Sequence, residues 1–247
     1  EVKYIISKLE AIGFKCTLHE GSPYHQPAIV AQRNATFEGK NKICIYNHYD
    51  VEPIHRKDWN YPPFELSEDQ ERLFGRGIAD NKGVLWARIL TLEYLWEQQL
   101  ASPSILWLIQ GEEEAGAEVA YKPFQNAINA FQSQLYLEET GYHKENQQLL
   151  LVKPYSSKSK EIIPQIIHAL DIKRPLIEER HLNKSYANKP CPFLSAIPKE
   201  GIYLAIGPND QQCRIHKNNE SLSISKLKES ILQFKQLLSF LAKKETQ

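Results

Sequence analysis

The stretch KICIYNHYDVEP, residues 42–53, decides the fold. Ile43 to Tyr46 form a short apolar run, as expected of a strand covered on both faces. The run then ends on His48 and Asp50, an imidazole and a carboxylate two residues apart. Such groups are costly to bury unless a hydrogen bond, an ion pair or a metal compensates them. In doubly wound α/β sheets, ligands collect beyond the carboxyl ends of the strands, so chemistry at a strand end points to that fold class. One His-x-Asp settles nothing by itself, and the rest of the chain must supply partners.

Working outward, Val2, Ile5, Ile6, Leu9 and Ile12 lie on one helical face, which Gly13 ends. FKCTLHE and PAIVAQR read as strands split by the turn-rich GSPYHQ, and residues 52–77, rich in Pro and aromatics, read as loop. A helical pattern runs from Asn81 through VLWARILTLEYLWEQQ. SILWLIQG is a buried strand, a helix is expected from about Ala115 to Ala130, and SQLYLEE is a strand. QQLLLV is a short strand before a polar connector, and EIIPQIIHAL is helical. GIYLAIG is one more buried strand, and an amphipathic helix with Ser223 as N-cap closes the chain. Alternating strands and helices predict one three-layer α/β domain over residues 1–247, with a central mixed, mostly parallel sheet flanked by helices. Its weakest point falls near residues 154–160.

Composition narrows the function classes. Lys plus Arg equals Asp plus Glu at 30 each, which gives no electrostatic case for nucleic acid or an anionic membrane surface. No apolar run has the length of a membrane helix, and no signal peptide is visible. The four Cys show no zinc-ribbon spacing and read as reduced thiols of a cytoplasmic protein. The sequence has no Met and opens at Glu1 within a helical pattern, which reads as a trimmed or interrupted chain.

The strand ends share a chemistry. SILWLIQ leads to Glu112, Glu113 and Glu114, QLYL to Glu138 and Glu139, and GIYLAIG through a turn to His216, while GRGIADNKG carries Asp80. Carboxylates gathered in this number repel one another without a cation, and imidazole and carboxylate are natural zinc ligands. Two metals bridged by a carboxylate and a water would absorb the charge, and a spare carboxylate could act as general base. Taken singly, each group has a plainer account. The EEE triplet could be first-turn acids favouring a helix dipole, Asp80 a helix cap and His216 a surface histidine.

HYDVEP, W…PPFELSEDQERLFGRGIADNKG, QGEEEAG, EETG and IHKNNESLSI, in that order, resemble the signatures of one family. It is the two-zinc metallopeptidase family of carnosinase-type dipeptidases, glutamate carboxypeptidase, aminoacylase, acetylornithine deacetylase and succinyl-diaminopimelate desuccinylase. The resemblance implies that His48 binds one zinc, that Asp80 bridges both, and that Asp50 orients His48 without touching metal. It implies Glu113 as general base, Glu114 as a ligand, Glu112 as a bystander, and Glu139 as the next ligand with Glu138 as the alternative. His216 would complete the second site, and Asn219 and Glu220 would shape its loop and the start of the last helix. The implied activity is amide hydrolysis of a small peptide or N-acyl amino acid, with Zn2+ replaceable by Co2+ or Mn2+.

The chain departs from the family in one respect. Members insert a lid or dimerisation domain of roughly a hundred residues after the LEETG strand. Here only sixty positions separate Gly141 from Gly201, and they read as catalytic-domain elements. The insertion expected near residues 150–160 is missing, which implies a monomer, whereas a chain with the lid would dimerise through it. The lid would supply a partner-subunit His for the oxyanion, and His143, His168 and His181 are only weak replacements. Gly116 follows the acidic run as in the family, but Ala117 stands where a Ser is common. A lid removed from the parent protein, a lidless hydrolase and a zinc-stabilised binding protein without catalysis are the three readings left open. A nucleotide-binding protein is not, since no strand is followed by GxGxxG or a P-loop.

Overall fold

The structure, a computed structural model, describes residues 1–116, 118–153, 157–180, 185–186 and 189–243. Helix α1 (Val2–Ala11) precedes strands β1 (Lys15–His19), β2 (Ala28–Arg33) and β3 (Lys42–His48). A hairpin of β4 (Ser67–Asp69) and β5 (Arg72–Phe74) follows, then a wide turn over Ile78–Lys82 and helix α2 (Gly83–Glu97). Next come β6 (Ser104–Gln110), α3 (Tyr121–Phe131), β7 (Leu135–Leu137), and the hairpin of β8 (Tyr142–Lys144) and β9 (Gln147–Val152). The chain continues through α4 (Ser157–Ala169), β10 (Leu176–Glu179) and a small ladder of β11 (Ser185–Tyr186) and β12 (Lys189–Pro190). It closes with α5 (Pro192–Ala196), β13 (Ile202–Ala205), β14 (Ser221–Ser223) and α6 (Ile224–Lys243).

The main sheet runs β1-β2-β6-β3-β7-β13-β9-β10, with β8 paired to β9. Its centre, β6, β3, β7 and β13, is parallel throughout. Antiparallel pairs join β1, β2 and β6 on one side and β13, β9 and β8 on the other, so the sheet is mixed with a parallel heart. Because successive side chains in a strand face opposite sides, one strand serves two cores. From β3, Ile43 and Ile45 pack among α1, α2, α4 and α6 residues such as Leu9, Leu85, Ile166 and Leu238. Cys44 and Tyr46 pack on the other face with Phe124 of α3 and Phe193 of α5. Fully burying each such large apolar side chain contributes roughly 1.5–3 kcal/mol, which is why the run in β3 tolerates no polar residue before Asn47. No helix among the described residues is long and apolar enough to cross a membrane.

Residues 52–77 hold more order than their composition suggested. The β4–β5 hairpin turns on Gln70 and Glu71 at φ 46° and 64°, without the Asn-Gly pair that advertises such turns. That hairpin and β14 form a separate three-stranded sheet. The expected helix at Ala115 starts instead at Tyr121, and α2 starts at Gly83, since residues 78–82 form the wide turn. The polar connector after β9 falls partly at residues 154–156, outside the described residues.

The wide turn is held from a distance. Glu220, 1% exposed, accepts hydrogen bonds from the Arg76 guanidinium at 2.7 Å and from the backbone N–H groups of Gly77, Ala79 and Asp80 at 3.1, 2.9 and 3.1 Å. Gly77 is required there: its φ is 82°, and a Cβ would sit 2.3 Å from the Val51 side chain. Asn219 also works outside its own loop, accepting from the Asn60 N–H at 2.7 Å. Ser223 caps α6 as expected, taking the Lys226 N–H at 3.5 Å. Replacing Glu220 with Ala strands the Arg76 charge, whose side chain is 3% exposed, and orphans three amides. The expected loss is about 3–5 kcal/mol, the range for breaking a buried ion pair, read as a lower urea midpoint with unchanged m.

Candidate active site

The parallel centre of the sheet explains why distant residues meet. β3, β6, β7 and β13 run the same way, so their carboxyl ends lie on one edge. His48 is the last residue of β3, Glu113 and Glu114 follow β6, Glu138 and Glu139 follow β7, and His216 lies on the loop after β13. Beneath that edge sits a buried polar hub. Arg88 of α2 donates to the carbonyls of Tyr46 and Glu138 at 3.2 and 2.7 Å and to Asn47 Oδ1 at 2.9 Å, and the Trp107 indole donates to the same oxygen at 3.0 Å. Asn81 continues the hub, bonding Asn47 at 2.5 Å and the Glu139 carbonyl at 3.1 Å. The hub holds the strand end that leads into His48 and the carbonyls of Glu138 and Glu139.

His48 and His216 approach Asp80 from two sides. His48 Nε2 lies 3.0 Å from Asp80 Oδ1, and His216 Nε2 lies 3.2 Å from Asp80 Oδ2. His216 Nε2 is also 3.0 Å from Glu114 Oε2, and Glu139 Oε2 is 3.8 Å from His48 Nε2. Asp50 stands behind. Its Oδ1 is 3.3 Å from His48 Nδ1 and accepts from the Glu113 N–H at 3.1 Å, while Oδ2 accepts from the Glu114 N–H at 3.0 Å. One carboxylate thus aims the imidazole and fixes the acidic turn. The Glu113 carboxylate has no hydrogen-bond partner among the described residues.

The electrostatics follow from burial and crowding. Burial pushes Glu113 up to about 7, with the charges of Asp80 and Asp50 adding to it and that of His48 opposing. Burial and the Asp80 charge raise Glu114 to about 8, and burial holds Glu139 well above the usual carboxylate range. Burial alone would raise Asp80 as well, but hydrogen bonds from His216 and His48 pull it below its ordinary value. The Asp80 hydrogen bond lifts His216 to about 9 against the effect of burial. His48 is likewise raised, because Asp50 and Asp80 outweigh its burial. Without metal, protons on the imidazoles supply the positive charge that the carboxylates demand.

The donor set fits a divalent cation. His48, Asp80 and Glu114 present ligand atoms within 4.8 Å of one another, and so do Glu52, Glu114 and His216. Glu139 Oε2 is buried with no hydrogen-bond partner, an expensive state that a cation would relieve. Imidazole nitrogen with carboxylate oxygen is a donor combination characteristic of zinc.

The structure brings together each residue that the resemblance singled out: His48, Asp50, Asp80, Glu113, Glu114, Glu139 and His216. It also separates the alternatives. Glu138 is turned to Arg180 and the Tyr203 hydroxyl, leaving Glu139 to face His48. Glu112 binds His25 at 2.9 Å and the Gln26 N–H at 3.1 Å, outside the cluster. The acidic triplet lies in turns well before α3, so it is not a first helical turn, and Asp80 spends its carboxylate on imidazoles rather than on a cap. His143 is buried 3.6 Å from Glu229 and His168 lies in the last turn of α4, so neither joins the site. Ala117 and His181 lie outside the described residues. Sequence reading missed Arg88 and Asn47, whose helical and strand settings looked merely apolar. It also missed Glu52, although His48, Asp50 and Glu52 continue the alternation of β3.

A human Beta-Ala-His dipeptidase is 34% identical over 103 residues, 40% of this chain and 20% of that protein. A Cys-Gly metallodipeptidase of Schizosaccharomyces pombe is 33% identical over 126 residues, 47% of this chain and 26% of that protein. A probable succinyl-diaminopimelate desuccinylase of Staphylococcus aureus is 39% identical over 98 residues, 39% of this chain and 24% of that protein. The chain therefore matches only about a quarter of the length of these relatives, or less. The crystal structure of human carnosine dipeptidase 1 superposes with a TM-score of 0.72 at 12% identity, over 98% of this chain and 89% of that one, a likeness of fold. The model of Peptidase family M20/M25/M40 matches residues 44–239, and the chain belongs to that family.

Proposed function

We propose that the chain is a zinc-dependent hydrolase that cleaves the amide bond of a dipeptide or an N-acyl amino acid. The observation that carries this reading is the meeting of His48, Asp80, Glu114, Glu139 and His216 beside the unbonded carboxylate of Glu113. Family membership supports it, and the dipeptidase and desuccinylase names of the relatives bracket the substrate class.

His48, Asp80 and Glu139 would hold one zinc, and Asp80, Glu114 and His216 the other, with Asp80 shared; Co2+ or Mn2+ suits the same donors. Zinc bound there supplies Lewis acidity, acidifying a water and polarising the scissile carbonyl. Glu113 moves the protons. Ionised, it takes one from the attacking water; protonated, it delivers that proton to the leaving amine nitrogen. A carboxyl held near 7 exchanges protons readily in both directions at neutral pH. Asp50 stands 3.3 Å from His48 Nδ1, on the side of the ring away from Asp80, and its bonds to the Glu113 and Glu114 amides hold base and ligand in one frame.

This reading treats residues 1–247 as one catalytic domain without the inserted lid, and hence as a monomer. The unpaired thiols, three of them buried, suit a reducing, cytoplasmic setting.

Glu113→Gln is expected to keep two zinc per chain while losing about 10²–10⁴-fold or more in kcat on a panel of dipeptides and N-acyl amino acids. Parent-level turnover in that variant would overturn the base assignment. Two zinc in the parent with no panel member hydrolysed would leave a zinc-stabilised binding protein instead.

The pH dependence of the metal-free protein follows from the same shifts. Glu113, Glu114, Glu139, His48 and His216 all titrate higher in the folded chain than unfolded, so their contribution is complete in acid. It is lost as pH rises through about 7 for Glu113, 8 for Glu114 and 9 for His216. Among the site residues Asp80 alone runs the other way, and its loss is confined to strong acid. The melting temperature of the stripped protein is expected to fall between pH 6 and 9, and added zinc to raise it more at pH 8.5 than at pH 6.

A further inference from the structure

The outer wall of the site holds a carboxylate that the zinc assignment above leaves unused. Glu52 lies two residues beyond Asp50, and its ligand atom falls within 4.8 Å of those of Glu114 and His216. Glu114 also lies within the same reach of His48 and Asp80, so the two clusters of donor atoms meet at it. Among the described residues, no hydrogen bond or ion pair engages the Glu52 carboxylate. Its neighbours at that range are another carboxylate and an imidazole, a mixture of donors that suits a divalent cation.

The two groups differ in setting. His48 is fully buried, whereas the His216 side chain is 48% exposed. The outer position therefore faces solvent, where water competes for the cation and each further protein oxygen counts. With Asp80, Glu114 and His216 alone it has three donors, one of them shared with the inner metal. Glu52 would add a carboxylate that belongs to the outer position only.

We propose that Glu52 is a direct ligand of the outer divalent cation, completing a set with Glu114, His216 and the shared Asp80. The proposal rests on the two-metal reading of the site. A direct ligand differs in measurable ways from an acid that acts through space: it needs its reach as well as its charge, and a neighbouring acid outside the cluster cannot imitate it. Glu112 is that neighbour, since its carboxylate is taken by His25 and the Gln26 N–H.

The test strips the protein of metal and titrates Zn2+ against a competing chelator, for the parent and for Glu52→Gln, Glu52→Asp and Glu112→Gln. Melting curves of the metal-free variants confirm that each is folded. The expected result is two equivalents in the parent, with the first unchanged in every variant. The second weakens at least about tenfold in Glu52→Gln and measurably in Glu52→Asp, and is unaltered in Glu112→Gln. An unchanged second equivalent in Glu52→Gln overturns the proposal, as does equal weakening in Glu112→Gln, which would make the effect one of charge alone. A parent that binds fewer than two equivalents overturns the two-metal reading itself. A parent that binds two but hydrolyses nothing defeats the catalytic reading and leaves this one standing.

Discussion

Carboxylates held close together in a protein interior repel one another, and each is also costly to ionise there. Asp80, Glu113, Glu114 and Glu139 share one sheet edge with two imidazoles, and much of the surrounding architecture answers that constraint. The imidazoles take protons and lean on Asp80, three of the four acids are pushed toward their neutral forms, and the donor geometry invites cations.

Three supports keep the edge in place against that repulsion. Arg88 grips the carbonyls of Tyr46 and Glu138 from below, so a buried positive charge holds the two strand ends that carry His48 and Glu139. Asp50 joins the imidazole to the acidic turn. Glu220 holds the backbone that presents Asp80. Each joins segments far apart in sequence, and each uses a charged group whose partners are mostly backbone. The ligands can therefore be soft and proton-hungry while their mountings are rigid.

Much of this was legible in the residues. Apolar runs of strand length ending in acids or imidazoles gave both the sheet and the edge on which its chemistry lies, since parallel strands share a direction. The choice among adjacent acids was less accessible. Glu138 and Glu139 differ in sequence by one position, and only the pairing of Glu138 with Arg180 and Tyr203 tells them apart. The β4–β5 hairpin escaped notice because its turn uses Gln70 and Glu71 at positive φ, where propensity expects Gly or Asn. Residues 115, 116 and 118–120 read as helix but are turn, and α3 begins only at Tyr121. Arg88 and Asn47 were invisible because a polar residue in an apolar pattern shows its purpose only through its partners.

Glu220 also sets an order of events. The amides it holds lie 140 to 143 positions earlier, so this contact closes one of the longer loops in the chain. Contacts of such separation are reached late in folding, after local hairpins and helices have formed. During synthesis the segment bearing Asp80 leaves the ribosome long before its anchor does. The nascent chain can therefore build sheet and helices while its acidic edge is still unassembled, and a cation can find its full set of donors only once the last strand and helix have docked.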